Sequence, residues 1–241
     1  MRRARILRTM WAFPLIAAVV AFAFAWLLGR QFLERRRPYQ LLWVIALAMY
    51  GVASLAVVAG VASGWSRGEF LVYWGLGAVL NVPFLAAGEL VLLFHRPWVL
   101  WTCWLVLIFA CAYTISVLRG AATDAAALTK QLPAGRDVFG LGTSAQQLPQ
   151  FFSYPAYAIL VVGALWSAWK MRGRPELKER FMGTLLIAVG ATIVAGGATF
   201  AAFGLIAGFI VTLVAGIAVM FWGFLRASKR TAPAAAPTQA S

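Results

Sequence analysis

Apolar residues in this chain run in long blocks rather than in the alternation of a half-buried strand or the one-sided stripe of a soluble helix. Blocks at 11–28, 41–64, 70–94 and 98–118 precede a longer connection, 119–153, and a fifth block at 154–169. The stretch 181–225 is about twice the length that crosses a bilayer, with its midpoint near residues 202–204. It divides into spans at 181–201 and 204–225 joined by a very short turn. Roughly 20 apolar residues suffice for one crossing. The pattern therefore predicts an all-α fold, a polytopic transmembrane helix bundle of about seven spans, forming a single domain over 1–230. Six spans remain if the first block is a cleaved signal or lies at the interface. Basic residues do precede that block, but Gly29-Arg30-Gln31-Phe32-Leu33 after it is a poor cleavage site. The tail 231–241 is too poor in apolar bulk to fold and reads as disordered.

Composition agrees with the block pattern. Of 241 residues, 63% are hydrophobic and 12% charged, with mean hydropathy +0.83. A soluble domain carries about 25% charged residues, and one so depleted would have nothing to cover its surface with. The formal charge of +14 does not point to nucleic acid, because the basic residues lie between apolar blocks and not on one solvated face. They are a topology signal, and they attract anionic headgroups.

Arg30, Arg35–Arg37, Arg96, Lys170, Arg172, Arg174, Lys178, Arg180, Arg226, Lys229 and Arg230 fall on one side, 13 against 8. The other side carries Arg67, Arg119, Lys130, Arg136 and the leading Arg2, Arg3, Arg5 and Arg8. Basic loops stay in the cytoplasm, so the C-terminus is expected there and the N-terminus outside. The four leading arginines resist this arrangement, and a translation start at Met10 would remove the conflict. In the outer connection, Thr123 is expected to cap a short helix through Lys130, ended by Pro133. Ser153 is expected to cap the fifth span, with Pro155 in its first turn.

The third span carries the most informative string, Tyr73-Trp74-Gly75-Leu76-Gly77-Ala78-Val79-Leu80-Asn81-Val82-Pro83. Pro83 has no N–H for the carbonyl of Val79, so a kink is expected there. Asn81 places a polar side chain beside that freed carbonyl, and Gly75 and Gly77 thin the preceding turn. Two readings stand side by side: a mid-membrane binding site of the transporter type, or a kink satisfied by a neighbouring hydroxyl or water.

Glu89 is the sole acid inside any predicted span. It must keep its proton, hydrogen-bond to Asn, Tyr or Trp, or reach an end residue such as Arg96. It is either a functional group or half of a structural pair. His95 and Arg96, with Pro97, form a tight turn at the cytoplasmic end of the span. A lone histidine there reads as an interface residue before a ligand. Tryptophans such as Trp26, Trp98, Trp101, Trp166, Trp169 and Trp222 fall near span ends and read as an aromatic belt. Small residues Thr184, Ala188, Ala191, Ala195, Ala198 and Ala202, with Gly196-Gly197, recur at helical spacing and read as close packing between spans.

Several chemistries are excluded. No lysine lies in 204–225 for a retinal Schiff base. One histidine cannot ligate both faces of a haem, and one buried acid cannot build a zinc hydrolase site. No phosphate-binding Gly-x-x-x-x-Gly-Lys-Ser/Thr sequence or arginine-studded helix is present. Cys103 and Cys111 lie about 12 Å apart along one helix, too far for a disulfide. No catalytic residue, metal ligand or cofactor is assigned from the sequence.

The string from Tyr73 to Pro83 and the segment Gly183-Thr184-Leu185…Gly190…Gly196-Gly197 resemble uncharacterised multi-pass membrane proteins of high-GC bacteria. That resemblance covers the third span through the seventh. It implies a bacterial plasma-membrane location and carries no activity. Three functions stay open. The first is a non-enzymatic bundle that binds lipid, another membrane protein or a second copy of itself. The second is a carrier or channel for a small solute, using Asn81, Pro83 and Glu89. The third is a lipid-modifying enzyme with Glu89 and His95 as acid and base, although the two are about 120° out of register on a helix.

Overall fold

The computed structural model describes residues 12–130, 132–171, 178–203 and 205–228. The leading arginines, the Met10 start and the tail 231–241 lie outside the described residues. Among the described residues, seven long helices make up the bundle and no strand occurs. They are α1 (Ala12–Arg35), α2 (Pro38–Ser63), α3 (Arg67–Phe94), α4 (Pro97–Gly120), α6 (Ser144–Met171), α7 (Lys178–Ala202) and α8 (Ile206–Ser228), with a single-turn α5 (Gly135–Phe139) in the connection. By their described residues, six are long and apolar enough to cross a membrane; α7 has 25 residues, and its described apolar stretch is Leu185–Gly197. The chain is an integral membrane protein of the all-α class.

Two reversals, α1–α2 and α3–α4, are built alike, and the sequence says why. Each runs left-handed residue, extended arginine, proline at the start of the next helix: Arg36-Arg37-Pro38 and His95-Arg96-Pro97. The left-handed residue ends the first helix by donating its N–H back to a carbonyl, Arg36 to Phe32 at 2.7 Å and His95 to Val91 at 3.3 Å. The residue before a proline is driven to extended backbone, and proline tolerates the first helical position. We call this side of the bundle the basic end and the opposite side, carrying the 121–143 connection, the capped end.

At the capped end α3 begins at Arg67, three residues before the predicted span. Ser66 Oγ accepts from Glu69 N at 3.2 Å, and Glu69 Oε2 accepts from Ser66 N at 2.8 Å. This reciprocal pair is a capping box. Arg67 Nη2 donates to the carbonyls of Arg119 and Ala121 and ties the start of α3 to the end of α4.

Differences from expectation concentrate in the connection. The segment after Thr123 forms a turn and a short 3₁₀ helix (Ala127–Thr129), set by Asp124 Oδ1 accepting from Ala126 N at 2.8 Å. α6 starts at Ser144, ten residues before the predicted fifth span, so Ser153 lies inside the helix and not at its cap. Pro149 and Pro155 are both accommodated within it.

The core runs the length of the bundle. Ala17, Ala21 and Leu28 of α1 are almost fully buried, and Phe24 meets the rings of Phe221 and Phe224 on α8 at 5.5 and 4.7 Å. Tyr50 of α2 donates to the carbonyl of Leu213 on α8 at 2.8 Å. A smaller cluster, including Leu42, Phe84, Val91, Cys103 and Leu107, joins α2, α3 and α4. The tightest pairing is α7 with α8: a Cβ at Gly190 would overlap Gly216 O, and one at Gly223 would overlap Gly183 O. Glycine spaced seven apart (183 and 190; 216 and 223) puts backbone against backbone. Of the small residues expected to pack, Ala188 and Ala191 are buried, Ala191 and Ala195 face a cavity, and the side chains of Thr184, Ala198 and Ala202 lie outside the described residues; the closest line is these glycines.

Candidate functional site

The informative string in α3 adopts an unusual winding. Tyr73–Leu80 form a π-helix, closed by Asn81 N donating to Leu76 O, five residues back. Such segments are rare and recur at functional sites. Its wide turn is allowed by glycines where neighbours press in. A Cβ at Gly77 would meet Ala53 Cβ at 2.9 Å, and one at Gly75 would meet Leu118 Cδ1 at 3.1 Å.

Pro83 ends this winding with a missing donor. Its absent N–H would have served Ala78 O in the π pattern and Val79 O in the α pattern. The single hydroxyl proton of Ser153 on α6 is shared between these two carbonyls, its Oγ lying 2.6 Å from Ala78 O and 2.9 Å from Val79 O. The expected kink is therefore satisfied by a neighbouring hydroxyl. Pro83 itself is buried and does not face the cavity described next.

Beside the π-helix lies a cavity of about 600 Å³, walled by α2, α3, α6, α7 and α8 and reaching the connection. Along α6 its wall runs from Gln146 to Leu160, which is about 21 Å at the α-helical rise. The deep wall is apolar, with Leu47, Val82, Leu85, Leu160, Ile217 and Met220. One face of α6 lends it Gln146, Gln150, Ser153 and Tyr157, spaced four, three and four. On α3 the winding stacks Tyr73, Gly77 and Asn81 along the opposite wall. Tyr157 closes a side by donating to Thr192 Oγ1 of α7 at 3.0 Å, and Thr192 donates on to Ala188 O.

Asn81 is 4% exposed, lines this cavity, and carries an Oδ1 with no hydrogen-bond partner among the described residues. Buried amides without partners are costly, and a native one calls for an explanation such as an absent ligand or water.

The connection holds the cavity's mouth in place. Trp74 donates Nε1–H to Ala145 O at 2.9 Å, lies over Gly135, and stacks against Phe70, while Phe139 packs on both rings. That docking sets Arg136, next to Gly135, at the mouth. Arg136 Nε is 3.6 Å from Asp137 Oδ1, and Lys130 Nζ is 2.7 Å from Asp137 Oδ2. The hydrogen bond from Lys130 holds the Asp137 carboxyl below the usual aspartate range.

The other candidates lie elsewhere. Glu89 is buried against α6, where Ser167 Oγ donates to it across a long 3.4 Å and Gly163 leaves room for its side chain. Its partner is thus a serine rather than Asn, Tyr, Trp or Arg96, and it does not line the Asn81 cavity. His95 is exposed at the left-handed turn, with Arg96 the extended residue after it. Glu89 and His95 are therefore not brought together.

Sequence reasoning missed Arg136, Gln146, Gln150, Tyr157 and the role of Ser153. The signal was present: polar residues at 146, 150, 153 and 157 mark one helical face. Compared with known protein families, curated proteins and solved structures, the chain matches none.

Proposed function

We propose that this protein is a non-enzymatic membrane bundle that binds a lipid-like amphiphile in the cavity between α2, α3, α6, α7 and α8. One observation carries the reading: a cavity of about 600 Å³ that reaches a buried asparagine whose oxygen has no partner among the described residues. Ligand sites span about 300–1,000 Å³, with mostly apolar walls and a few convergent polar groups. An enzyme reading has less support, because Glu89 of α3 is buried against α6 while His95 is exposed at the helix end.

Native mass spectrometry in mild detergent tests the proposal on wild type and on Ala191→Phe, which fills the cavity wall. Wild type is expected to carry one amphiphile that the variant has lost. Equal occupancy in both, or none in either after lipid is supplied, overturns it.

A carrier is the second reading, favoured by the π-helix and Pro83 on one wall and two prolines on the other. Protein-dependent flux of the bound amphiphile between vesicle leaflets would replace simple binding by transport. The same reading puts the protein in a bacterial plasma membrane with the basic end in the cytoplasm. A second copy or another membrane protein remains a further partner class for the bundle.

A further inference from the structure

Resting on the reading of the cavity as an amphiphile site, we propose that its ligand carries one negatively charged headgroup, seated at Arg136, Gln146 and Gln150, with an apolar chain running down past Asn81. Charge, polarity and depth all point the same way.

Among the described lining residues Arg136 is the sole Lys, Arg, Asp or Glu, and none of them is an acid that would oppose an anion. The described charged groups of this cluster, Lys130, Arg136 and Asp137, sum to one positive charge, with a single carboxylate between two cations. Guanidinium favours carboxylate and phosphate oxygens, which its planar fork can meet with two N–H groups at once. Gln146 and Gln150 stand one helical turn apart on the adjoining face of α6 and add amide N–H donors.

Below them the wall is mostly apolar, interrupted on α6 by Ser153 and Tyr157, and it runs about 15 Å from Gln150 to Leu160. That depth suits a long hydrocarbon chain, not a compact solute. Asn81 interrupts the apolar wall part-way down, where a chain hydroxyl or a water held beside the chain would meet its Oδ1.

Carboxylate and phosphate heads share this chemistry, and the experiment separates them. Delipidated protein in nanodiscs of neutral phosphatidylcholine is titrated with oleate, oleyl alcohol, lysophosphatidylglycerol and lysophosphatidylcholine. Ala191→Phe and Arg136→Gln are run in parallel, and both variants are first confirmed as folded by their unfolding transitions.

Wild type is expected to prefer each anionic probe over its uncharged or zwitterionic counterpart by about tenfold, as for one charge-assisted contact. That preference should vanish in Arg136→Gln while binding of oleyl alcohol persists. Preference for oleate alone assigns a free fatty acid, and for lysophosphatidylglycerol alone a phospholipid; either supports the proposal. Equal affinities in wild type, or a preference unchanged in Arg136→Gln, overturn the anionic headgroup while leaving the amphiphile reading intact. If no probe binds in a manner sensitive to Ala191→Phe, the amphiphile reading itself fails.

Discussion

Ser153 shows how much one hydroxyl can settle inside a bilayer. Pro83 removes an amide from the middle of α3, and the carbonyls of Ala78 and Val79 then face a medium with no water to spare. The serine supplies the missing proton from another helix. Ser153→Ala is expected to lower stability by about 1 kcal/mol, between the average for hydrogen bonds among membrane helices and the cost of an orphaned buried carbonyl. In a Pro83→Ala background the backbone has its own N–H again, and the same substitution should cost less than about half as much. Unfolding midpoints of the four proteins in the cycle measure this; equal costs in both backgrounds would show that the serine acts independently of the proline. The proline, the asparagine and the glycines around them were legible in the sequence, because each departs from an otherwise apolar string. The donor was not. It lies more than seventy residues away along the chain, next to a proline that imitates a helix start.

At the scale of elements, the α7–α8 pair is held by glycine on both sides, with main chain facing main chain. Any side chain at Gly216 would run into the carbonyl of Gly190, and helix axes cannot separate without opening contacts along the whole pair. Gly216→Leu is therefore expected to destabilise by about 1–3 kcal/mol, the usual cost of overpacking. Gly196→Ala, where a Cβ meets nothing within 4 Å, should be close to neutral. Thermal stability of the two variants in one detergent checks the contrast, and equal shifts would mean that the pair does not set the packing distance.

Block length alone gave the existence of these helices, since hydropathy survives any error in packing. The beginning of α6 was lost because Ser153 and Pro155 read as a helix cap and first turn, and the residues from 144 to 153 are weakly apolar. Only the four-three-four spacing of Gln146, Gln150, Ser153 and Tyr157 opposed that, and polar spacing is a fainter signal than a hydrophobic run. The cavity itself was illegible, because five helices contribute to it and their mutual placement is a property of the packed bundle.

Across the whole molecule the two ends differ in kind. Trp98, Trp101, Trp166, Trp169 and Trp222 are exposed toward the basic end, where Lys170 and Arg226 lie over the rings of Trp166 and Trp222 at 5.2 and 4.8 Å. Toward the capped end Trp65 is buried and Trp74 is clamped to the connection. Amphipathic rings with cations beside them suit the headgroup layer. In a Cys103→Ala, Cys111→Ala background, cysteine placed at Thr129 is expected to react with a membrane-impermeant thiol reagent on intact cells. Cysteine at Ser228 should react only after lysis. The reverse pattern would invert the proposed orientation.

Three residues separate the end of α7 at Ala202 from the start of α8 at Ile206. During synthesis that leaves no slack for one helix to settle before the other follows. The sequence of α7 is apolar across 181–201, long enough to cross a bilayer. α8 follows at once with an apolar stretch of 20 residues, and with so short a link the glycine seam makes the two helices one closely packed hairpin.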